Sequence, residues 1–128
     1  MNEPLVLLDS NICIYLIEGL AEAARRRIER FAPGEVVTSA IAYAEVMMGV
    51  DLDDRIAAAN AEALFEIIPV IAFGAEAALE YRRLPFKRHS FDRLIAAHAL
   101  QLRLPLATNN ERDFADVPGL RIENWVRA

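Results

Sequence analysis

The chain has 128 residues, of which 55% are hydrophobic and 26% charged, and its formal net charge of −5 at pH 7 argues against a uniformly basic nucleic-acid binder. The length predicts one globular domain, residues 1–128, and charged residues interrupt every apolar stretch, so no membrane span is expected. The one cysteine, Cys13, excludes an internal disulfide and a cysteine-built zinc site, and without a recognisable secretory signal we expect a cytoplasmic protein.

Apolar runs typical of buried strands alternate along the chain with helical patterns that begin at capping residues. From the N-terminus, we predict a strand at 5–8, helices at 10–18 and 21–31, a strand at 36–38, a helix capped by Ser39 and closed by Gly49, a helix that begins at Asp53, a strand at 67–68, a helix at 74–84, a helix capped by Ser90 that runs to 102, and strands at 106–107 and 120–122. This alternation predicts an α/β fold, a three-layer α/β/α sandwich with a short, mostly parallel central sheet.

Four carboxylates lie at the ends of these elements, at the edge of the core. Burying an isolated acid there destabilises the fold unless a cation lies beside it. Asp9 ends the first strand, Glu45 is the only charge on its helix, Asp92 opens the last long helix, and Asp113 follows the polar segment after residues 106–107. Ligands of open parallel sheets bind beyond the carboxyl ends of the strands, where such acids could meet. Oxygen ligands without clustered sulfur or imidazole favour Mg²⁺ or Mn²⁺, and a metal among carboxylates indicates phosphate chemistry.

Each acid also has a structural interpretation. Asp9 could serve simply as the cap of the helix that follows it. Asp92 could be an ordinary first-turn acid favoured by the helix dipole. A structural Glu45 would need a buried arginine partner, and none is obvious nearby in the sequence. Glu111 and Asp116 lie in the same segment as Asp113 and are alternative candidates for its place in the site. Cys13 is predicted to fill the core, and His98 is predicted to be structural or partly exposed.

Two clusters of cations interrupt this acidic chain, and nearly all of their members are arginines, which suit bidentate contact with phosphate. Each cluster is either a solvated helix face or part of a nucleic-acid rim. The first comprises Arg25, Arg26, Arg27 and Arg30; the second comprises Arg82, Arg83, Lys87, Arg88 and Arg93 with His89, and it runs directly into Asp92.

Four segments, in this order, resemble the PIN domain. They are residues 7–11 with Asp9, 39–49 with Glu45, 91–99 with Asp92, and 108–114 with Asp113, and the ending at 117–125 is most similar to the VapC toxins of bacterial toxin–antitoxin pairs. The resemblance covers essentially the whole chain. It implies a Mg²⁺- or Mn²⁺-dependent endoribonuclease that hydrolyses RNA with a metal-activated water.

The resemblance also implies a site and partners. Asp9, Glu45 and Asp92 would be the core acids and Asp113 the fourth, with Asn110, Glu111 and Asp116 as the alternatives for that fourth position. Asn11 and Thr108 match polar positions that line the site. The family further implies a homodimer, neutralised by a VapB-type antitoxin whose tail occupies the catalytic groove.

The sequence departs from the family pattern just before Asp92. Many relatives carry a Gly-Pro lead-in there, whereas residues 85–91 of this chain are more basic. Because the catalytic acids repel RNA, a cationic rim is needed, and we predict that Arg82, Arg83, Lys87 and Arg88 supply part of it. Two alternatives to a nuclease stay open: a catalytically silent PIN-fold binding or regulatory module, and a small metal-dependent phosphatase.

Overall fold

A computed structural model describes residues 2–88 and 90–126 and shows strands and helices in regular alternation. The elements are β1 Val6–Leu8, α1 Ser10–Glu18, α2 Glu22–Ile28, β2 Val36–Ser39, α3 Ala40–Met48, α4 Arg55–Ile67, β3 Val70–Ile71, α5 Ala75–Tyr81, α6 Phe91–Leu102, β4 Leu106–Thr108, α7 Glu111–Phe114 and β5 Ile122–Asn124. None of the helices in these ranges has the length and apolarity that crossing a bilayer requires.

The strands form one five-stranded sheet in the order β3-β2-β1-β4-β5, and all neighbouring strands are parallel. β1 lies at the centre, with β2 on one side and β4 on the other. The chain therefore changes its direction of winding at β1, and the crevice beyond the carboxyl ends of β1 and β4 is where open parallel sheets bind ligands.

Helices cover both faces of the sheet, so both faces are buried. Successive side chains of a strand point to opposite faces, so each strand contributes to two cores. Val6 and Leu8 face one core, which contains Ile12 of α1, whereas Leu7 faces the other, which contains Ile95 of α6. Helices α1, α2 and α4 cover the first face, α6 and α7 cover the second, α5 packs against α6, and α3 contributes to both cores. The predicted three-layer α/β/α fold is confirmed, and the sheet is wholly parallel.

The helices that carry the candidate acids begin where the sequence predicts. The side chains of Asp9, Ser39 and Ser90 accept hydrogen bonds from the backbone N–H groups of Ser10, Ile41 and Arg93, which fixes the starts of α1, α3 and α6. Gly19 closes α1 with φ of 74°, a left-handed conformation that glycine adopts without steric cost.

One predicted strand is wrong. Residues 67–68 end α4, because the N–H of Ile68 donates to the carbonyl of Leu64 at 2.8 Å, and the strand begins after Pro69 as β3. The final strand also lies two residues later than predicted, at Ile122–Asn124. Burial of Ile68 explains the error, since an apolar run before a proline fits a buried helix end as well as a strand.

Smaller differences concern helix ends. Helices predicted at 21–31 and 74–84 end earlier, at Ile28 and Tyr81, and the helix expected from Asp53 begins at Arg55 with Asp54 as its cap. The four-residue helix α7 was not predicted, because one polar turn carries no hydrophobic period.

Candidate functional site

Asp9 lies at the centre of the crevice and is completely buried. Its Oδ1 accepts a hydrogen bond from the backbone N–H of Ser10 at 2.8 Å, and its Oδ2 accepts one from the hydroxyl of Thr108 at 2.8 Å. Thr108 is the last residue of β4, so the neighbouring strand fixes the carboxylate that follows β1. Thr108, which the resemblance puts among the polar residues of the site, thus contacts Asp9 directly.

Glu45 reaches the same crevice from α3. Its Oε1 accepts a hydrogen bond from the hydroxyl of Ser10 at 3.0 Å, and that hydroxyl also lies 3.4 Å from Oδ1 of Asp9. Ser10 therefore bridges two of the predicted acids across 35 residues of sequence. Sequence reasoning gave Ser10 no site role beyond helix capping, and its position next to Asp9 was the only available signal.

Asp92 and Asp113 complete the acidic cluster, defined here as Asp9, Glu45, Asp92 and Asp113. Asp92 is half-buried in the first turn of α6, and burial raises the pKa of its carboxyl group, followed in importance by the charges of Asp113 and Glu45. Lys87 opposes this increase. The structure therefore brings together all four acids that the sequence singled out, although their chemical roles stay predictions.

The electrostatics of Asp9 show how unfavourable this arrangement is without a cation. Burial raises the pKa of Asp9 from 3.8 to about 6, and the charges of Asp92 and Glu45 act in the same direction. The hydrogen bonds from Thr108 and Ser10 only partly offset the increase. A buried carboxylate that faces other acids is a position where a divalent cation would relieve repulsion.

The donor set fits a hard, hydrated cation. The cluster offers only carboxylate oxygens, yet within residues 2–88 and 90–126 no three ligating side chains stand together as a ready-made metal shell. Mg²⁺ usually keeps several waters and uses one or two carboxylates, so an open acidic cluster suits it better than a compact zinc site. Cys13 is no ligand, because it is buried and burial raises the pKa of its thiol to about 12.

The other candidates for the fourth acid have different contacts. Both carboxylate oxygens of Asp116 lie 2.8 Å from Nη2 of Arg93, and Glu111 accepts a hydrogen bond from the side-chain amide of Asn124 at 3.1 Å. The backbone N–H of Asn110 donates to the hydroxyl of Thr108 at 2.9 Å. Asp113 is the one whose charge helps to raise the pKa of Asp92, which favours it as the fourth acid.

The Arg93–Asp116 pair links the start of α6 to the segment after α7, and its two partners differ in burial. The side chain of Arg93 is 4% exposed and that of Asp116 is 57% exposed. Nε and Nη1 of Arg93 find no hydrogen-bond partner among the described residues. Arg93 therefore depends on Asp116 to compensate its buried charge, whereas water can solvate Asp116 without Arg93.

We expect Asp116→Ala to lower the free energy of unfolding clearly more than Arg93→Met does, because only the first change leaves a buried charge without its partner. Urea denaturation of both variants and of the double variant measures this. Equal losses for the two single variants would contradict the asymmetry.

His98 and Asn11, two other polar residues, differ in their contacts. His98 is buried, its Nδ1 lies 2.8 Å from the hydroxyl of Ser39, and burial lowers its pKa, in line with the predicted structural role. Within the described part of the chain, the side chain of Asn11 makes no hydrogen bond to the acids. No observed contact therefore supports its predicted role in the site.

The two cation clusters differ in their surroundings, and Lys87 of the second cluster lies near one of the acids. Arg82, Arg83, Lys87 and Arg88 are exposed, Lys87 lies close enough to Asp92 to lower its pKa, and Arg83 pairs with Glu80 at 3.6 Å. His89 lies outside the described residues. In the first cluster, Arg25 pairs with Glu22 and Glu29 on the surface of α2, which fits a solvated helix face.

Two concave surfaces differ in character. An apolar groove of about 980 Å³ lies between α1, α2 and α4, and none of the four acids lines it. A smaller polar pocket of about 470 Å³ contains Asp113 in its wall and therefore adjoins the acidic cluster.

The sequence and the fold both match known proteins. The model of the PIN domain family matches residues 6–120. The chain is 32% identical to the tRNA(fMet)-specific endonuclease VapC of Shigella flexneri over 93% of this chain and 96% of that protein. It is 28% identical to the ribonuclease VapC2 of Rickettsia felis, with the same coverage of each chain.

Solved structures give the same picture. VapBC2 from Rickettsia felis, bound to a DNA fragment from its promoter, matches with a TM-score of 0.84 and 26% identity over 94% of this chain and 98% of that chain. DNA-bound VapBC from Salmonella typhimurium matches with a TM-score of 0.84 and 28% identity over 95% and 98%.

Proposed function

The chain belongs to the PIN domain family, and we propose that it is a metal-dependent endoribonuclease, the VapC-type toxin of a type II toxin–antitoxin pair. The observation that carries this proposal is the convergence of Asp9, Glu45, Asp92 and Asp113 beyond the carboxyl ends of β1 and β4. Residues 1–128 would act as one PIN domain.

Mg²⁺ or Mn²⁺ would be held by these four carboxylates, directly or through water. When bound, the cation would offset charge on the scissile phosphate and make a water molecule a better nucleophile. Thr108 and Ser10 keep the acids in place, since one holds Oδ2 of Asp9 and the other links Asp9 to Glu45. The buried Asp9 and the half-buried Asp92 must ionise to bind a cation, and the cluster therefore binds metal and protons in competition.

The proposed partners follow from the relatives. Several matching structures are VapBC complexes, so a VapB-type antitoxin is the expected protein partner of this chain. The apolar groove between α1, α2 and α4 offers such a partner additional surface to bury. A homodimer stays a prediction of the family resemblance, and a cytoplasmic location stays a prediction from the composition of the chain.

Purified protein is expected to cleave single-stranded RNA when Mg²⁺ or Mn²⁺ is added, and to lose this activity with EDTA or with Asp92→Asn. RNA fragments are resolved on denaturing gels, and a generic aryl phosphate is assayed in parallel. Hydrolysis of the aryl phosphate but not of RNA would indicate the phosphatase alternative. No cleavage, together with no Mn²⁺ binding that depends on Asp9 and Asp92, would indicate the silent binding module.

The rim formed by Arg82, Arg83, Lys87 and Arg88 is the proposed contact with the RNA backbone. Its charges are exposed, and Lys87 acts on Asp92. Since like-charged RNA must approach four acids, a cationic surface beside them would raise the association rate and the affinity.

Reversing two of these charges, Lys87→Glu with Arg88→Glu, is expected to raise KM for RNA and to weaken its salt dependence. The slope of log affinity against log salt should fall by about 0.7 for each phosphate of a single strand that the variant no longer neutralises. The control with the same change in net charge is Arg30→Glu with Arg55→Glu, at exposed positions on or beside other helices. Equal effects of the two double variants would contradict a specific rim.

A further inference from the structure

The polar pocket beside Asp113 has no role in the function proposed so far. It has a volume of about 470 Å³, within the range of small-ligand sites, and is lined by Asn109, Asn110, Glu111, Arg112, Asp113 and Asn124. These residues follow the carboxyl end of β4 or end β5, so the pocket opens at the same edge of the sheet as the acidic cluster. A group held in it would sit next to the proposed scissile phosphate.

Two of the lining side chains are free to bind a ligand. Asn109 donates to the hydroxyl of Tyr15 at 3.1 Å and Asn124 to Glu111 at 3.1 Å, so their amides have partners. By contrast, the side-chain amide of Asn110 and the guanidinium of Arg112 make no hydrogen bond or ion pair with any of the residues that the structure describes. The backbone of Asn110 is nevertheless fixed, because its N–H donates to Thr108 at 2.9 Å.

The chemistry of the walls selects a neutral, polar, planar ligand. Glu111 and Asp113 also line the pocket, and their charges disfavour a second phosphate or another anion. An asparagine amide pairs bidentately with N6 and N7 of adenine, and an arginine fork pairs with O6 and N7 of guanine. Both edges belong to purines, and proteins read unpaired RNA bases through such edges.

We propose that this pocket binds an unpaired purine of the RNA substrate, whose edge pairs with Asn110 when the base is adenine and with Arg112 when it is guanine. The inference deepens the proposed ribonuclease function and rests on it. The pocket would supply base preference, whereas the cationic rim would supply affinity that does not depend on sequence.

The test measures RNA binding by the full chain carrying Asp9→Asn, so that no RNA is cut. Fluorescence anisotropy compares a pyrimidine-only octamer with octamers that contain one purine. We expect octamers with one adenine or one guanine to bind roughly tenfold more tightly than the pyrimidine octamer. Asn110→Ala should remove roughly 5- to 10-fold of binding to the adenine octamer, and Arg112→Ala the same for the guanine octamer, with little change for the pyrimidine octamer. Arg55→Ala, which removes an exposed arginine of α4, should leave the purine preference intact.

Two outcomes would overturn the proposal: no purine preference before mutation, or an equal loss of affinity for all octamers, which would indicate phosphate contact only. Failure of the wild-type chain to cut any RNA would instead contradict the proposed function. The binding comparison distinguishes the two, because it does not require cleavage.

Discussion

Asp9→Asn is expected to abolish RNA cleavage while making the metal-free protein more stable at pH 7. The amide cannot supply the charge that a divalent cation needs, so we expect the cleavage rate to fall by at least about 10³-fold. The same change removes a buried charge that faces Asp92 and Glu45. The free energy of unfolding should therefore rise by up to about 3 kcal/mol.

The sign follows from the two pKa values of Asp9, about 6 in the folded protein and 3.8 as the reference for the unfolded chain. Below both values the carboxyl is protonated in each state and has no effect. Between them the folded state holds a proton that the unfolded state has released, so stability falls as pH rises. Above about 6 the full cost of ionising the buried group is present, and asparagine avoids it.

Urea denaturation in EDTA, at pH 7 and below pH 4, measures the difference between wild type and Asp9→Asn. The stabilisation should be present at pH 7 and absent at the lower pH. Asp53→Asn is the control, since Asp53 is exposed and the same change of charge there should have little effect. A less stable Asp9→Asn protein at pH 7 would show that the hydrogen bonds of the carboxylate outweigh its burial.

Mn²⁺ affinity is expected to fall about tenfold for each pH unit below about 6, and to be nearly constant above neutrality. The cation needs an ionised Asp9, and the proton competes for it because the pKa of Asp9 is about 6. Asp92, whose pKa is also raised, would add to the slope. Isothermal titration calorimetry over this pH range gives the affinity directly.

Glu45→Gln is the informative variant for this pH dependence. It removes a charge that raises the pKa of both Asp9 and Asp92, so the affinity should be lower overall but should begin to fall at a lower pH. A pH dependence that does not move in Glu45→Gln would mean that Asp9 and Glu45 are not coupled in solution.

The sequence predicts the parts of this site that depend on local chemistry or on a general rule of sheets. Asp9, Ser39 and Ser90 are capping residues, and they begin helices as expected. The meeting of Asp9 with Thr108 follows once parallel strands are predicted, since their carboxyl ends share one edge.

Contacts between distant positions could not be predicted in this way. The Ser10–Glu45 hydrogen bond and the Arg93–Asp116 pair join residues that are 35 and 23 positions apart, and no local pattern marks them. The strand after Pro69 and the helix α7 were missed because each is too short to show a period.

The edges of the sheet limit how a partner can bind. β3 has two residues and β5 has three, so neither offers the long row of unpaired backbone groups that strand addition and fibril growth require. A partner must therefore contact helices and side chains instead of extending the sheet. We expect the same short edges to limit polymerisation by strand addition when the protein is produced without its partner.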